Sequence, residues 1–346
     1  MKIENFTIDN NSSCFIIAEL SANHGHDIEI AKKTIKSAKE CGANAIKLQT
    51  YTPDTMTIDC NNEYFKIKKG TLWDGKTLYN LYKEAYTPWI WQRELKEYAE
   101  GLGLICFSTP FDKSAVDFLE SLSVGAYKIA SFEITDIPLI RYAASKKKPM
   151  IISTGIATLE EIEDVIYACK DEGNSKIILL KCTSEYPAKA EDANLKTMYD
   201  MKNKFDVEVG VSDHSLGIEV PTVAVCLGAK VIEKHFILDK SIGGPDCEFS
   251  LEPKDFKYMV DSIRNVEKII GNVHYEKDNG SNKNREFARS LFIVKDMKIG
   301  EILTEENVKS IRPGFGLKPK FYNNILGKKI NKNVKKGTPL TFDLIN

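Results

Sequence analysis

Long apolar runs are missing from this 346-residue chain. No stretch approaches the roughly 20 residues that cross a bilayer as a helix. The opening residues, MKIENFTIDNNSSC, hold no apolar signal core, so a cytoplasmic protein without a membrane partner is expected. Paired C-x-x-C spacing is absent too. The eight cysteines are scattered at 14, 41, 60, 106, 169, 182, 226 and 247. Several fall inside strand-like runs such as LICFSTP, which points to reduced, mostly buried thiols rather than a disulfide framework. No G-x-G-x-x-G follows the first strand-like run, and this weighs against a dinucleotide fold. Histidine is scarce, with five in all, and two of these, His214 and His235, end successive apolar runs. The net charge of −1 hides an asymmetry: from Lys283 onward, 14 Lys and Arg stand against 6 Asp and Glu. Such a tail leaves nucleic-acid binding open in principle. It lacks an aromatic-interleaved or helix-reading motif, and no nucleic-acid partner is expected.

What the chain does have is alternation. Eight strand-like runs, FIIAEL (15–20), AIKLQT (45–50), LICFST (104–109), AYKIAS (126–131), MIIST (150–154), KIILLKC (176–182), VEVGVSD (207–213) and VIEKHF (231–236), alternate with amphipathic stretches. Among those stretches, DIEIAKKTIKSAKECG, WIWQRELKEYAEGLG and TLEEIEDVIYACKDEG each end in glycine, a helix-stop signal. Eight strand–helix units in about 250 residues favour a closed TIM (β/α)8 barrel over 1–272, although an open doubly wound sheet would alternate in the same way. An insert after the second run, TPDTMTIDCNNEYFKIKKGTLWDGKTLYNLYKEAYTP, is too long for an ordinary connection and is expected to act as a lid. A polar linker is expected over 273–284 and a compact, mostly-β module over 285–346.

In such a barrel, chemistry sits where strands end. Those ends carry Glu19, Lys47, Gln49, Ser108, Thr109, Lys128, Ser131 and Glu133 in the first half. The second half adds Ser153, Thr154, Lys181, Thr183, Ser184, Ser212, His214, Glu233 and His235. Period-two alternation puts Lys47 with Gln49, Ser212 with His214, and Glu233 with His235 on common faces. Buried lysines are costly unless compensated. With a row of hydroxyls they suit a phosphorylated anion, and neutral imidazoles suit a divalent cation. Each has a plainer alternative: a strand-end histidine can be a hydrogen-bonded structural residue, and Ser or Thr can simply cap the next helix.

The ordered motifs AELSANH, AIKLQTYTPDT, GTLWDG, FSTPFD, AYKIASFEITDIPLI, STGIATLEEI, LLKCTSEYP, GVSDHSLG, VIEKHF, GGPDCEFSLEP and SIRPGFGL run from about residue 3 to the end. Together they resemble the sialic-acid synthase family. The resemblance implies a TIM barrel followed by a small antifreeze-like (SAF) domain, and a homodimer in which each SAF domain covers the partner's site. It implies a transferase that condenses phosphoenolpyruvate with an open-chain amino-sugar aldehyde and water, giving a nine-carbon 2-keto acid and phosphate.

By matching motif, His214 and His235 are the implied ligands of Mn2+ or Mg2+, and Glu19 the acid/base. Lys47, Thr109, Lys128, Ser131, Ser153 and Ser212 match phosphoenolpyruvate positions. Gln49, Glu133, Tyr186 and Asp246 match sugar positions, and Arg312 matches the arginine sent over by the partner's SAF domain. AELSANH departs from the usual AEIG-x-NH, Ser184 replaces a frequent Asn, and the GTLWDG insert differs. These departures favour a 2,4-diacetamido-2,4,6-trideoxy sugar over the substrates that lead to legionaminic or N-acetylneuraminic acid. A Schiff-base aldolase using Lys128 is the rival from another enzyme class.

Overall fold

The computed structural model describes residues 1–68, 70–275 and 283–346. Eight parallel strands close on themselves: β1 (Phe15–Glu19), β2 (Ala45–Thr50), β3 (Ile105–Pro110), β4 (Tyr127–Ile129), β5 (Met150–Ser153), β6 (Ile177–Cys182), β7 (Glu208–Asp213) and β8 (Val231–His235). Chain neighbours are spatial neighbours, and β8 pairs back onto β1 with Val231 opposite Phe15 and His235 opposite Glu19. The (β/α)8 barrel read from the alternation is present. Strands buried on both faces read as apolar runs, so the few polar residues at their C-terminal ends stand out.

The glycine-ended stretches are helices: α1 (Ile28–Glu40), α2 (Trp89–Gly101) and α3 (Leu159–Asp171). Asp27 caps α1 by accepting from the Glu29 amide at 2.8 Å, satisfying a donor the first turn leaves unpaired. Thr158 and Glu161 cap α3 reciprocally. Past the end of α1, Gly42 takes φ +93°, a conformation side-chain-bearing residues rarely adopt.

The insert between β2 and α2 is more than an open loop. It holds one helical turn at Pro53–Met56 and a helix at Leu78–Ala85. The Trp73 indole N–H donates to the Pro245 carbonyl at 2.9 Å, fastening the insert to the segment that follows β8.

The chain separates into two compact units, Met1–Gly271 and Asn272–Asn346. The linker expected over 273–284 lies largely outside the described residues; Val273, His274 and Tyr275 are exposed. The second unit pairs strands β9 (Ser290–Ile293) and β10 (Val308–Ile311) antiparallel. Leu291, Ile293, Leu303, Val308, Ile330 and Leu340 form its own small core. Within it, Ser290 Oγ donates to the Pro313 carbonyl at 2.6 Å and accepts from the Gly316 amide at 2.9 Å. A Cβ at Gly316 would overlap the Leu291 carbonyl, so only glycine lets the loop lie this close. The loop presents Arg312 to solvent.

Candidate active site

At the C-terminal mouth of the barrel lies an open cavity of about 230 Å³. Its floor is a buried four-charge cluster. Lys47 Nζ lies 3.0 Å from Glu233 Oε1 and 3.4 Å from Glu19 Oε2, and Lys128 Nζ lies 3.5 Å from Glu233 Oε1. Lys128 also donates to Ser153 Oγ at 2.7 Å, and Ser212 Oγ donates to Glu233 at 3.0 Å. Gln49 Nε2 donates to Glu19 Oε1 at 3.0 Å and to Ser21 Oγ at 2.8 Å. Strand alternation explains the gathering: Glu19, Lys47, Gln49, Ser212, Glu233 and His235 project from three strand ends around β8, β1 and β2 and from neighbouring β7.

The two carboxylates are unequal. Burial pushes Glu19 up to about 7, with Lys47 opposing and Glu233 reinforcing the rise. Burial also acts on Glu233, but Lys128, Lys47 and the Ser212 hydroxyl outweigh it and hold Glu233 down at about 2. The distances say the same, because Glu233 collects both ammonium groups and a hydroxyl while Glu19 has one lysine at longer range. A shared proton belongs on Glu19. The lysines also diverge. Burial lowers both, yet Glu19 and Glu233 bring Lys47 above its ordinary value, whereas Lys128 stays below.

Beside this floor the His214 and His235 rings meet edge-on, with centroids 5.4 Å apart and planes 62° from parallel. His214 Nδ1 lies 3.0 Å from the Thr183 carbonyl; donation there leaves the Nε2 lone pair free. His235 Nδ1 is buried without a hydrogen-bond partner, 3.8 Å from Asp246 Oδ2. Burial, then the neighbouring His214 and Lys47, push His235 well below its ordinary range, so its ring is neutral. Burial lowers His214 as well, but its contact with Cys182 and its bond to the Thr183 carbonyl bring it above its ordinary value, so a cation there would take the place of a proton. With that proton displaced, the two imidazoles fit a divalent cation whose remaining ligands are oxygens. Among the described residues no third His, Cys, Asp or Glu completes a protein-only cluster.

The backbone behind the histidines is built to hold them. A Cβ at Gly210 would overlap the Val231 carbonyl, so glycine permits the pairing of β7 with β8. One residue before each histidine, buried Lys234 and Asp213 form an ion pair, and Lys234 also donates to the Ser215 carbonyl. Tyr186 lies over His214 at 4.4 Å between ring centroids, and Phe249 lies edge-on to His235 at 4.8 Å.

Most residues singled out in the sequence line this one cavity: Glu19, Lys47, Gln49, Lys128, Ser131 and Glu133, then Ser153, Tyr186, Ser212, His214, His235 and Asp246. Ser131 hydrogen-bonds Ser184. Glu133 is driven by burial to about 7, against the pull of Lys128. Thr109 is not on the cavity wall; it is buried with its hydroxyl unpaired. Ser108 points into a network with Thr50 at 2.7 Å. Lys181 turns back to the Cys182 carbonyl at 2.8 Å and lines a neighbouring small cavity. Arg312 belongs to the second unit.

His24 and His26 do not line the cavity. Instead His24 Nε2 meets Thr87 Oγ1 at 3.1 Å and His26 Nε2 meets the Glu84 carbonyl at 2.6 Å, tying the first loop to the insert's end. Sequence reading gave Glu233 a place on the mouth-facing side but no role; its alternation with His235 was the available signal. It missed Cys182, which lies 3.9 Å from His214 Nδ1. It also missed Trp73 as a wall residue.

Comparison with known proteins agrees with this geometry. The NeuB family matches residues 34–275 and the SAF domain matches residues 288–346. A pseudaminic acid synthase of Campylobacter jejuni subsp. jejuni is 52% identical over 340 residues, covering 98% of each chain. One of Helicobacter pylori is 49% identical over 333 residues, covering 95% of this chain and 96% of its own. An N,N'-diacetyllegionaminic acid synthase of Legionella pneumophila is 40% identical, covering 96% and 95%. Among solved structures, an N-acetylneuraminic acid synthetase of Leptospira borgpetersenii in complex with citrate superposes with TM-score 0.73 at 34% identity, covering 82% of this chain and 94% of its own. This chain belongs to the NeuB family, with a SAF domain following its barrel.

Proposed function

We propose that the protein is a pseudaminic acid synthase. It is a transferase that condenses phosphoenolpyruvate with 2,4-diacetamido-2,4,6-trideoxy-L-altrose and water, giving pseudaminic acid and phosphate. Relatives named for this activity, 49–52% identical over nearly the full length, support the choice of sugar over the 40% identical legionaminic relative. The observation that carries the reading is the floor itself: two buried ammonium groups beside two cation-competent imidazoles in one cavity.

Lys47 and Lys128 hold the phosphate and carboxylate of phosphoenolpyruvate, assisted by the hydroxyls of Ser131, Ser153 and Ser212. Thr109, expected at the same ligand, is buried off the cavity wall and is given no part in this reading. His214 and His235 would hold a divalent ion, Mn2+ or Mg2+, which would supply Lewis acidity for the sugar's aldehyde. Carbon 3 of the enol forms the new C–C bond with the aldehyde carbon. Water adds at carbon 2, and the C–O bond to phosphate breaks. Glu19, whose carboxyl titrates near neutrality, is placed to give a proton to the new alkoxide and to take one from the attacking water. Gln49, Glu133, Tyr186 and Asp246 orient the sugar.

The dimer expected of this family places Arg312 of a second copy at the sugar. Its exposure on a loop held by Ser290 supports that role. The synthase acts in the cytoplasm, where phosphoenolpyruvate is available.

Phosphate release tests the function directly. With phosphoenolpyruvate and a panel of aldehyde sugars, the diacetamido-trideoxy altrose should turn over fastest and EDTA should stop the reaction. Faster turnover of N-acetylmannosamine, or borohydride trapping of a keto acid on Lys128, would move the assignment elsewhere.

A further inference from the structure

The outer wall of the cavity is made of different material from its floor. The insert between β2 and α2 supplies Met56, Trp73, Leu81, Tyr82 and Ala85 to the lining, and Phe111 follows β3. The polar atom of Trp73 is already spent on the Pro245 carbonyl at 2.9 Å, so its ring offers carbon surface only. That ring lies 5.8 Å from Tyr186, whose other ring neighbours are His214 and Phe249. Tyr51 sits edge-on between Tyr82 and Phe111, at 5.8 and 5.1 Å. Apart from the Tyr51 and Tyr82 phenols, the described residues between β2 and α2 present no free hydrogen-bonding side chain to the lining.

The reacting aldehyde carbon must sit at the floor, against the histidines and lysines. The sixth carbon of an open-chain hexose is the atom farthest from it, and it therefore extends outward to this wall. A methyl group there buries apolar surface. A hydroxyl set against Met56, Trp73, Leu81 and Ala85 loses water and gains no fixed partner from them.

We propose that Met56, Trp73, Leu81 and Ala85 form a specificity surface that receives the 6-methyl end of a 6-deoxy sugar and disfavours its 6-hydroxy counterpart. The inference rests on the synthase reading above. It also sets a size. An apolar pocket discriminates poorly against an isostere that merely adds a hydroxyl, by about 100-fold at most, whereas a site built of paired polar groups reaches roughly 10,000-fold or more.

The test is kcat/KM for two diacetamido sugars that differ only at carbon 6, measured on the wild type, Met56→Gln and Trp73→Ala. Both sugars meet the same enzyme preparation, so any loss of folded protein cancels in the ratio. The wild type should favour the 6-deoxy sugar by about 10- to 100-fold. Met56→Gln should shrink that preference at least about 5-fold by giving the hydroxyl a partner. Trp73→Ala should shrink it by loss of the 6-deoxy sugar's advantage alone. An unchanged ratio in both variants overturns the wall assignment while leaving the synthase reading intact. So does a wild-type preference near unity or above about 10,000-fold. A wild type that releases phosphate with neither sugar overturns the synthase reading itself.

Discussion

The floor of the cavity and its outer wall solve opposite problems. The floor packs Glu19, Lys47, Lys128 and Glu233 into a space where none is more than 4% exposed. There each charge depends on its partners, since removing one strands another in a low-dielectric interior. The wall is hung on an insert whose chain is tied down at a few points, chiefly Trp73 to Pro245, His24 to Thr87 and His26 to Glu84. Chemistry is therefore concentrated on rigid strand ends, and selectivity on a graft that can vary without disturbing them.

Breaking the floor should cost most. His235→Ala removes one of two imidazoles and should lower turnover at least about 1000-fold, as expected when several kcal/mol of Lewis-acid assistance is lost. Circular dichroism should remain native, and calorimetric titration with Mn2+ should show the affinity lost. Near-normal activity in this variant, or in metal-stripped wild type, defeats the cation site.

Lys128→Met is the next largest. It deletes an ammonium proposed to grip the substrate anion and leaves Lys47 as the one lysine paired with Glu233. Phosphoenolpyruvate affinity by titration should fall by about 10- to 100-fold, in line with loss of a charge-assisted hydrogen bond worth about 1.5–3 kcal/mol. Unchanged binding would place the anion elsewhere.

The wall's own weak point is acid. Burial, then His26, depress His24 to about 4 from its ordinary 6.5. A depressed histidine is neutral when folded, so the unfolded chain takes up the extra proton. Its contribution is full above pH 6.5 and is lost as pH falls toward 4. The shift corresponds to about 3 kcal/mol as an order of magnitude. His24→Asn should flatten the stability profile between those limits, read from denaturant midpoints at pH 7 and pH 4.5. An equally steep profile in the variant would assign the acid sensitivity to other groups.

Much of this molecule was legible without coordinates. The eight strands were readable because a strand buried on both faces reads as a short apolar run, and the glycine-ended helices because glycine most readily takes the left-handed conformation found at Gly42 and Gly173. His214, His235, Lys47 and Lys128 were visible because polar residues stand out against the apolar runs that carry them. Thr109 shows where that rule frays: a strand-end hydroxyl can be buried one step away from the cavity it was expected to line.

What only the tertiary structure decided is which neighbours each group meets. Glu19 and Glu233 are chemically alike in the sequence, yet one titrates near 7 and the other near 2 because two lysines converge on Glu233. The indole of Trp73 became cavity wall because the insert folds back onto Pro245, more than 170 residues away in the chain. Residue type and periodicity set the strands, the faces and the reactive groups that are available. Proton placement and wall chemistry depend on distance and burial, and these exist only once the barrel has closed.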